Sequence, residues 1–354
     1  MGRGRREAYT GAHRLWGIPF RGRMIRNPLP LNLATNVLNF ACNALVGLWL
    51  IPFLIRHLGV AAYGLIPLAT TLTAYLAVFT LALNAAVSRF LTQALDRGDA
   101  LRANQIFNTS FWGSLAALLV LAGPSIWLAA QARHFLAVPA GLEQDFFRLL
   151  LAVIGVFCLT TLASVFSVSA FCRNRLDLSN WAALAGLAIR VGVIVWLFRL
   201  GAPRVWHVGA GYVAGALAAG VGGVLLWRRL TPQIALRPAL FDQSLFAQLA
   251  GLGGWVVVNQ FGALFFLGVD LLVVNRLLGA DATGRYGALL NWTVLLRSFA
   301  GVVAGVFAPP LFLLQGRGDR TALLETLRRA MKFLGLVVAV PVGVLCGLAA
   351  PLLR

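Results

Sequence analysis

Nine apolar runs, divided by short basic or turn-rich breaks, dominate this chain: near 31–55, 62–88, 106–131, 147–171, 179–199, 207–227, 248–275, 286–312 and 333–353. About 20 apolar residues suffice for an α-helix to cross a bilayer. Within hydrocarbon each backbone N–H and C=O has to be satisfied inside its own segment, so every run predicts a membrane-spanning helix. Hydrophobic residues make up 60% of the 354 positions and charged residues 12%, far from the balance of a soluble domain. The expected fold class is an all-α integral membrane protein of about nine transmembrane helices.

The formal net charge is +19, carried by 29 arginines and the single lysine Lys332. These cations cluster in short breaks between apolar runs and not along one soluble face, so nucleic acid is not an expected partner. With the amino terminus inside, about 19 Lys and Arg fall on the tail and inner loops against 7 on the outer loops, which predicts an N-in orientation. One lysine, outside any GxxxxGK[ST] context, excludes a phosphate-binding loop and a nucleotide-hydrolysing domain within the chain. Cys42, Cys158, Cys172 and Cys346 lie in apolar runs with no CxxC spacing, so packing is their expected role, and no metal site, cofactor or catalytic residue is expected. Residues 1–30 form an Arg-rich segment without the apolar core of a signal peptide. That segment reads as a basic cytoplasmic tail, and Met24 is an alternative start to Met1.

An internal repeat maps position 56 onto position 276. Arg56, Leu58 and Gly59 return as Arg276, Leu278 and Gly279, Arg97-Gly98-Asp99 returns as Arg317-Gly318-Asp319, and Tyr63-Gly64 returns, shifted by three, as Tyr286-Gly287. Both copies run helix, Arg-x-Leu-Gly corner, helix, basic loop, and both enter from the same side, which is a parallel repeat. The expected organisation is a tail (1–30), a six-helix first bundle (31–230), a cytoplasmic linker (231–247) and a second bundle (248–354), incomplete at about three helices.

Polar residues inside the runs are the candidate functional groups. Asn32, Asn36, Asn39 and Asn43 project within about 60° of one another on the first helix. This stripe reads either as interhelical hydrogen bonding or as the wall of a hydrated cavity for sugar hydroxyls. Thr73, Thr80 and Asn84 make a similar face on the second run, and Asn259 with Asp270 on the seventh. Arg190 and Arg297 lie near the centres of the fifth and eighth runs, where a charge costs roughly 2.5–3.5 kcal/mol on insertion scales. A guanidinium makes bidentate, charge-assisted bonds to phosphate oxygens, so both predict an anionic guest. Arg89 is a further candidate, with snorkelling to headgroups as its alternative. Asp270 and Arg276, about 9 Å apart along one helix, are read as an ion pair or, for Asp270, as a coupling site. Pro52, Pro67, Pro124, Pro309, Pro310 and Pro341 are compatible with helices that bend during transport.

The Asn-rich opening helix, the Arg56-His57-Leu58-Gly59 corner with Tyr63-Gly64, and the stretch from Asp270 through Arg276-Leu277-Leu278-Gly279 to Tyr286-Gly287 resemble the polysaccharide-unit flippases. These form the O-antigen translocase branch of the multidrug/oligosaccharidyl-lipid/polysaccharide exporter superfamily. The resemblance implies two six-helix bundles around a basic cavity in the bacterial cytoplasmic (inner) membrane. It implies translocation of undecaprenyl-pyrophosphate-linked oligosaccharide from the inner to the outer leaflet by alternating access, without enzymatic chemistry. Arg89, Arg190 and Arg297 are the pyrophosphate candidates by position, with Asn36, Asn39, Asn43, Asn84 and Asn259 as polar cavity lining. Expected partners are the lipid-linked oligosaccharide and membrane lipids, with a polysaccharide polymerase and glycosyltransferases as candidates. A cation-coupled drug or metabolite antiporter and a lipid-II-type flippase share the pattern. An integral-membrane polysaccharide polymerase or acyltransferase is the reading from a different class.

Overall fold

The computed structural model describes residues 29–173, 175–316 and 320–347; within these helices the side chains of 73–86, 89, 252–257, 259–261 and 302–316 are among those it leaves undescribed. The basic tail with Met1 and Met24 lies outside the described residues. So do the side chains of Thr73, Thr80, Asn84, Arg89 and Asn259.

The described chain is all α-helical apart from short connections. Helices α1 (Leu29–Leu58), α2 (Val60–Asp96), α3 (Ala100–Phe135), α4 (Glu143–Cys172), α5 (Leu176–Leu200) and α6 (Val205–Leu230) come first. The helical stretch Gln243–Gly316 breaks at Gly279, where φ is 85°, into α7 (243–278) and α8 (280–316), and α9 spans Arg320–Gly347. Each expected run therefore maps onto one helix, the last of them described only as far as Gly347. Among the described residues, Ala34–Leu58, Ala100–Ala132, Glu143–Cys172, Leu176–Leu200 and Val205–Leu230 are long and apolar enough to cross a membrane.

The corners follow from local chemistry. Gly59 (φ 84°) and Gly279 (φ 85°) hold the same left-handed conformation at equivalent places in the two copies, a region that only glycine enters without a steric penalty. At the start of α3 the Asp99 carboxylate caps the helix by accepting from the Arg102 amide at 2.9 Å, which satisfies one of the orphan donors of the first turn. Between α4 and α5, Arg175 and Asp177 form a bidentate pair, Nε to Oδ1 at 3.0 Å and Nη2 to Oδ2 at 3.1 Å. Hydrogen bonding to Asp177 pushes the Arg175 pKa up from its ordinary value.

The start of α9 departs furthest from expectation. The basic loop expected over 317–332 is helical from Arg320, so α9 begins well ahead of the apolar run at 333. Strong helix formers such as Ala, Leu, Glu and Arg fill that segment, and the Glu325–Arg329 pair at 3.4 Å adds i,i+4 support. Residues 348–354 lie outside the described set.

Two apolar clusters hold the helices together. One gathers Leu50, Leu54, Tyr63, Leu65, Phe146 and Leu149 with Leu271 of α7, and so runs from the first half into the second. The other gathers Leu91, Phe107, Val165 and Leu249 with Ile234 of the connection between the halves. Helices approach closely where side chains are small, as membrane helices do when packing replaces the hydrophobic effect. Gly186 of α5 and Gly215 of α6 abut: a Cβ on either would lie 2.7 Å from the carbonyl oxygen of the other.

The connection after α6 is bound to α3 by two buried amides. Asn104 Nδ2 donates to the Gln233 carbonyl at 2.9 Å while its Oδ1 accepts from the Ala235 amide at 2.8 Å. One helical turn on, Asn108 Nδ2 donates to the Ala235 carbonyl at 2.8 Å and its Oδ1 accepts from the Arg237 amide at 2.6 Å. Four residues of helix rise about 6 Å and two residues of extended chain about 6.6 Å, so the side-chain amides on α3 match the strand-like repeat of the connection. Thr109 extends the clamp by accepting from the Asp242 amide at 3.1 Å.

Candidate functional site

A cavity of about 590 Å³ opens between α1, α4, α5 and α6, with Thr70 contributed by α2. Arg190, in the middle of α5, is its charged residue. Close packing seats it: a Cβ on Gly215 would fall 2.8 Å from the Arg190 Cβ, and one on Gly211 would fall 2.9 Å from its carbonyl oxygen. The guanidinium carbon lies 4.6 Å from the centroid of the Tyr212 ring, a cation–π contact worth about 0.5–2 kcal/mol. Its Nε is buried without a hydrogen-bond partner among the described residues. None of those residues brings a carboxylate to the cavity, whose polar wall is Asn39, Asn43, Thr70, Thr160 and Tyr212.

The asparagine stripe of α1 divides between the two roles that the spacing allowed. Its first half bonds to α5: Asn32 Oδ1 accepts from the Asp177 amide at 2.9 Å, and Asn180 Nδ2 donates to Asn36 Oδ1 at 2.8 Å and to Thr35 Oγ1 at 3.1 Å. Its second half reaches the cavity. Asn39 Nδ2 donates to Asn180 Oδ1 at 3.4 Å, Asn43 Nδ2 donates to Asn39 Oδ1 at 2.7 Å, and both asparagines line the wall beside Arg190. Sequence reasoning missed Asn180, whose signal was a lone amide in the first turns of the fifth apolar run.

The structure thus brings Arg190, Asn39 and Asn43 together and places Arg297, Asp270 and Arg276 outside this cavity, while the side chains of Arg89, Asn84 and Asn259 lie outside the described set. Arg297 is exposed on α8 and does not line this cavity. Asp270, on α7, accepts from the Tyr286 hydroxyl at 3.0 Å. Neither Asp270 nor Arg276 forms an ion pair among the described residues. Asn275, unremarked in the sequence, is fully buried. It accepts from the Ala137 amide at 2.9 Å and donates to the Ala137 carbonyl at 3.3 Å and to Thr283 Oγ1 at 3.1 Å, so it ties α7 and α8 to the α3–α4 connection.

Cys42 and Cys158 carry no disulfide among the described residues, the Cys172 sulfur accepts from the Thr92 hydroxyl at 3.2 Å, and no group of His, Cys, Asp and Glu suited to a metal occurs among the described residues. The polar groups on the wall are donors and acceptors fit to hold an anion and hydroxyl-bearing groups, and none is arranged as a nucleophile with its base.

Comparison with known proteins agrees with this architecture. Residues 32–315 match the family described as polysaccharide biosynthesis protein. The membrane protein EpsK of Bacillus subtilis (strain 168) is 33% identical over 323 residues, which cover 91% of this chain and 64% of EpsK. The chain therefore spans just under two thirds of that relative's length. Among solved structures, the inward-facing conformation of a multidrug resistance MATE family transporter of the MOP superfamily shares the fold, with a TM-score of 0.62 and 16% identity over 88% of this chain and 74% of that one. A helical multi-pass membrane architecture and a family match over most of the length converge, and the chain belongs to the polysaccharide biosynthesis protein family.

Proposed function

We propose that this chain acts as a flippase that carries undecaprenyl-pyrophosphate-linked oligosaccharide from the inner to the outer leaflet of the bacterial cytoplasmic membrane. The observation that carries the reading is the Arg190 guanidinium, held over Tyr212 with a buried Nε that finds no acceptor among the described residues, which also bring no carboxylate to the cavity. A half-buried cation of this kind is stabilised by an anionic guest, and a phosphate oxygen offers the charge-assisted bond. The amides of Asn39 and Asn43 and the hydroxyls of Thr70 and Thr160 supply the mixed donors and acceptors that a glycan requires.

In this reading the first bundle (31–230) holds the diphosphate end through Arg190, and Arg297 serves the same guest from the second bundle (248–354), which the 231–247 linker joins to the first. Arg89, Asn84 and Asn259 complete the polar path, with the amino terminus in the cytoplasm. Translocation breaks no covalent bond, so the chain works as a transporter and not as an enzyme. A polymerase and glycosyltransferases of the same pathway are its natural neighbours.

The test is complementation of a flippase-deleted strain, scored by surface polysaccharide at matched membrane levels of protein. Arg190→Ala should abolish display and Arg190→Lys should restore part of it, since an ammonium keeps the charge and loses the bidentate fork. Undiminished display by Arg190→Ala would remove the basis of the proposal.

A further inference from the structure

A second slot, of about 350 Å³, lies on a different face of α4 from the Arg190 cavity, between α2, α3, α4 and α7. Its walls are almost wholly apolar, formed by Leu72, Leu128, Ala132, Phe135, Ile154 and Leu272. Leu128 and Phe135 are at least half exposed on the bundle surface, so the slot opens sideways, where the surrounding solvent is hydrocarbon. One cation stands among the lining residues. Arg276 is exposed, three positions before the Gly279 corner, at the depth where a helix end meets lipid headgroups.

The rim is rigid. Asn275, next to Arg276, is bonded in both directions to Ala137, and Leu136 lines the slot beside it. Arg276 itself makes no hydrogen bond or ion pair among the described residues.

An apolar slot open to the membrane, with a guanidinium at its headgroup end, is complementary to an amphiphile: a chain in the slot and an anionic head on the arginine. The single guanidinium matches the single negative charge of a phosphodiester better than the larger charge of a diphosphate. We propose that this slot is a binding site for an anionic glycerophospholipid such as phosphatidylglycerol, with one acyl chain between α3, α4 and α7 and its phosphate on Arg276. On the charge-based orientation this lipid belongs to the outer leaflet. The proposal stands apart from the Arg190 cavity and survives even if that cavity proves to carry no substrate.

The experiment is native mass spectrometry of the protein released from nanodiscs containing equal parts palmitoyl-oleoyl phosphatidylglycerol and phosphatidylcholine. Wild type should retain phosphatidylglycerol selectively. Arg276→Gln should weaken that retention about tenfold, the effect of one charge-assisted hydrogen bond. Arg276→Lys should keep part of it, and Arg56→Gln, the equivalent position in the first copy, should leave it unchanged. Because Arg276 is exposed, the glutamine variant should fold, and its thermal unfolding in detergent checks that it does. Equal retention of both lipids, or unchanged retention by Arg276→Gln, overturns the proposal. Displacement of phosphatidylglycerol by equimolar polyprenyl phosphate in an Arg276-dependent way overturns it as well, by assigning the slot to a carrier lipid.

Discussion

Gly64 of α2 and Gly284 of α8 touch backbone to backbone, and they are one position in the two copies at the unshifted offset that takes Arg56 to Arg276, in place of the pairing of Gly64 with Gly287 that the shifted Tyr-Gly match suggests. A Cβ on Gly64 would lie 2.9 Å from the Ala280 carbonyl oxygen, and a Cβ on Gly284 would collide with that of Val60. Since 60 and 280 are also equivalent under the repeat, the contact is reciprocal, as it must be on an axis relating two copies. One residue pair therefore marks where the halves of the molecule meet. Gly287 packs beside it, where a Cβ would sit 2.6 Å from Pro67 Cγ.

Gly64→Val should force the two helices apart. Overpacking of a closed contact costs about 1–3 kcal/mol, visible as a lowered unfolding temperature in detergent. Gly47→Ala, in α1 with nothing within 4 Å of its Cβ, should be neutral or slightly stabilising, because alanine is the better helix former. Equal responses at the two sites would mean that the axis contact does not hold the halves together.

Asn180→Ala should loosen α1 from α5. Three hydrogen bonds vanish, those to Thr35 and Asn36 and that from Asn39, and at about 0.6 kcal/mol each in a membrane the loss is about 2 kcal/mol. Amide exchange along the first turns of α1 offers a second readout, since it should quicken in the variant while exchange in α4 holds steady.

Asn108→Ala should release the connection between the halves. The Arg237 amide and the Ala235 carbonyl lose their partner, and for part-buried groups each loss costs at most about 1–3 kcal/mol. Limited proteolysis across 231–242 should turn from slow to fast. Gln233 joins the clamp through its backbone carbonyl, so Gln233→Ala should leave the rate unchanged.

Asp242 predicts an acid-side dependence at the start of α7. Its carboxylate accepts from the Ser244 hydroxyl at 2.7 Å and from the Ser244 and Leu245 amides at 2.9 and 3.0 Å. The bond from the Ser244 hydroxyl, followed by that from the Leu245 amide, holds its pKa below the ordinary 3.8. A depressed carboxylate stabilises the fold above its unfolded pKa and loses that contribution as pH falls through the folded value. Amide exchange at Ser244 and Leu245 should therefore accelerate below about pH 4, and Asp242→Ala should show fast exchange at every pH.

Much of this architecture was legible because hydrocarbon permits so little. Apolar length located all nine described α-helices, and Gly59 and Gly279 announced matching corners. The helix ends were less readable: α2 continues to Asp96 and α9 starts at Arg320, because hydrogen bonding carries on past the point where hydrophobicity stops. The asparagine stripe was visible, but its division was not. Whether an amide on α1 meets Asn180 or an open cavity depends on how α5 is rotated, which no single helix records. Arg190 could be picked out as an unpaired central charge, whereas its Tyr212 partner lies on another helix and gave no local signal. The Asn104 and Asn108 clamp was the hardest to see, since its partners are backbone groups far along the chain.

That clamp also bears on how the gene can change. Connections between halves of a duplicated protein ordinarily absorb insertions, because a slack loop has no register to lose. Here the pitch of a helix is locked against the pitch of an extended chain at two successive points, and one added residue between Gln233 and Arg237 would turn the second pair of partners to the wrong side. The composition of this stretch is free to drift while its length is fixed.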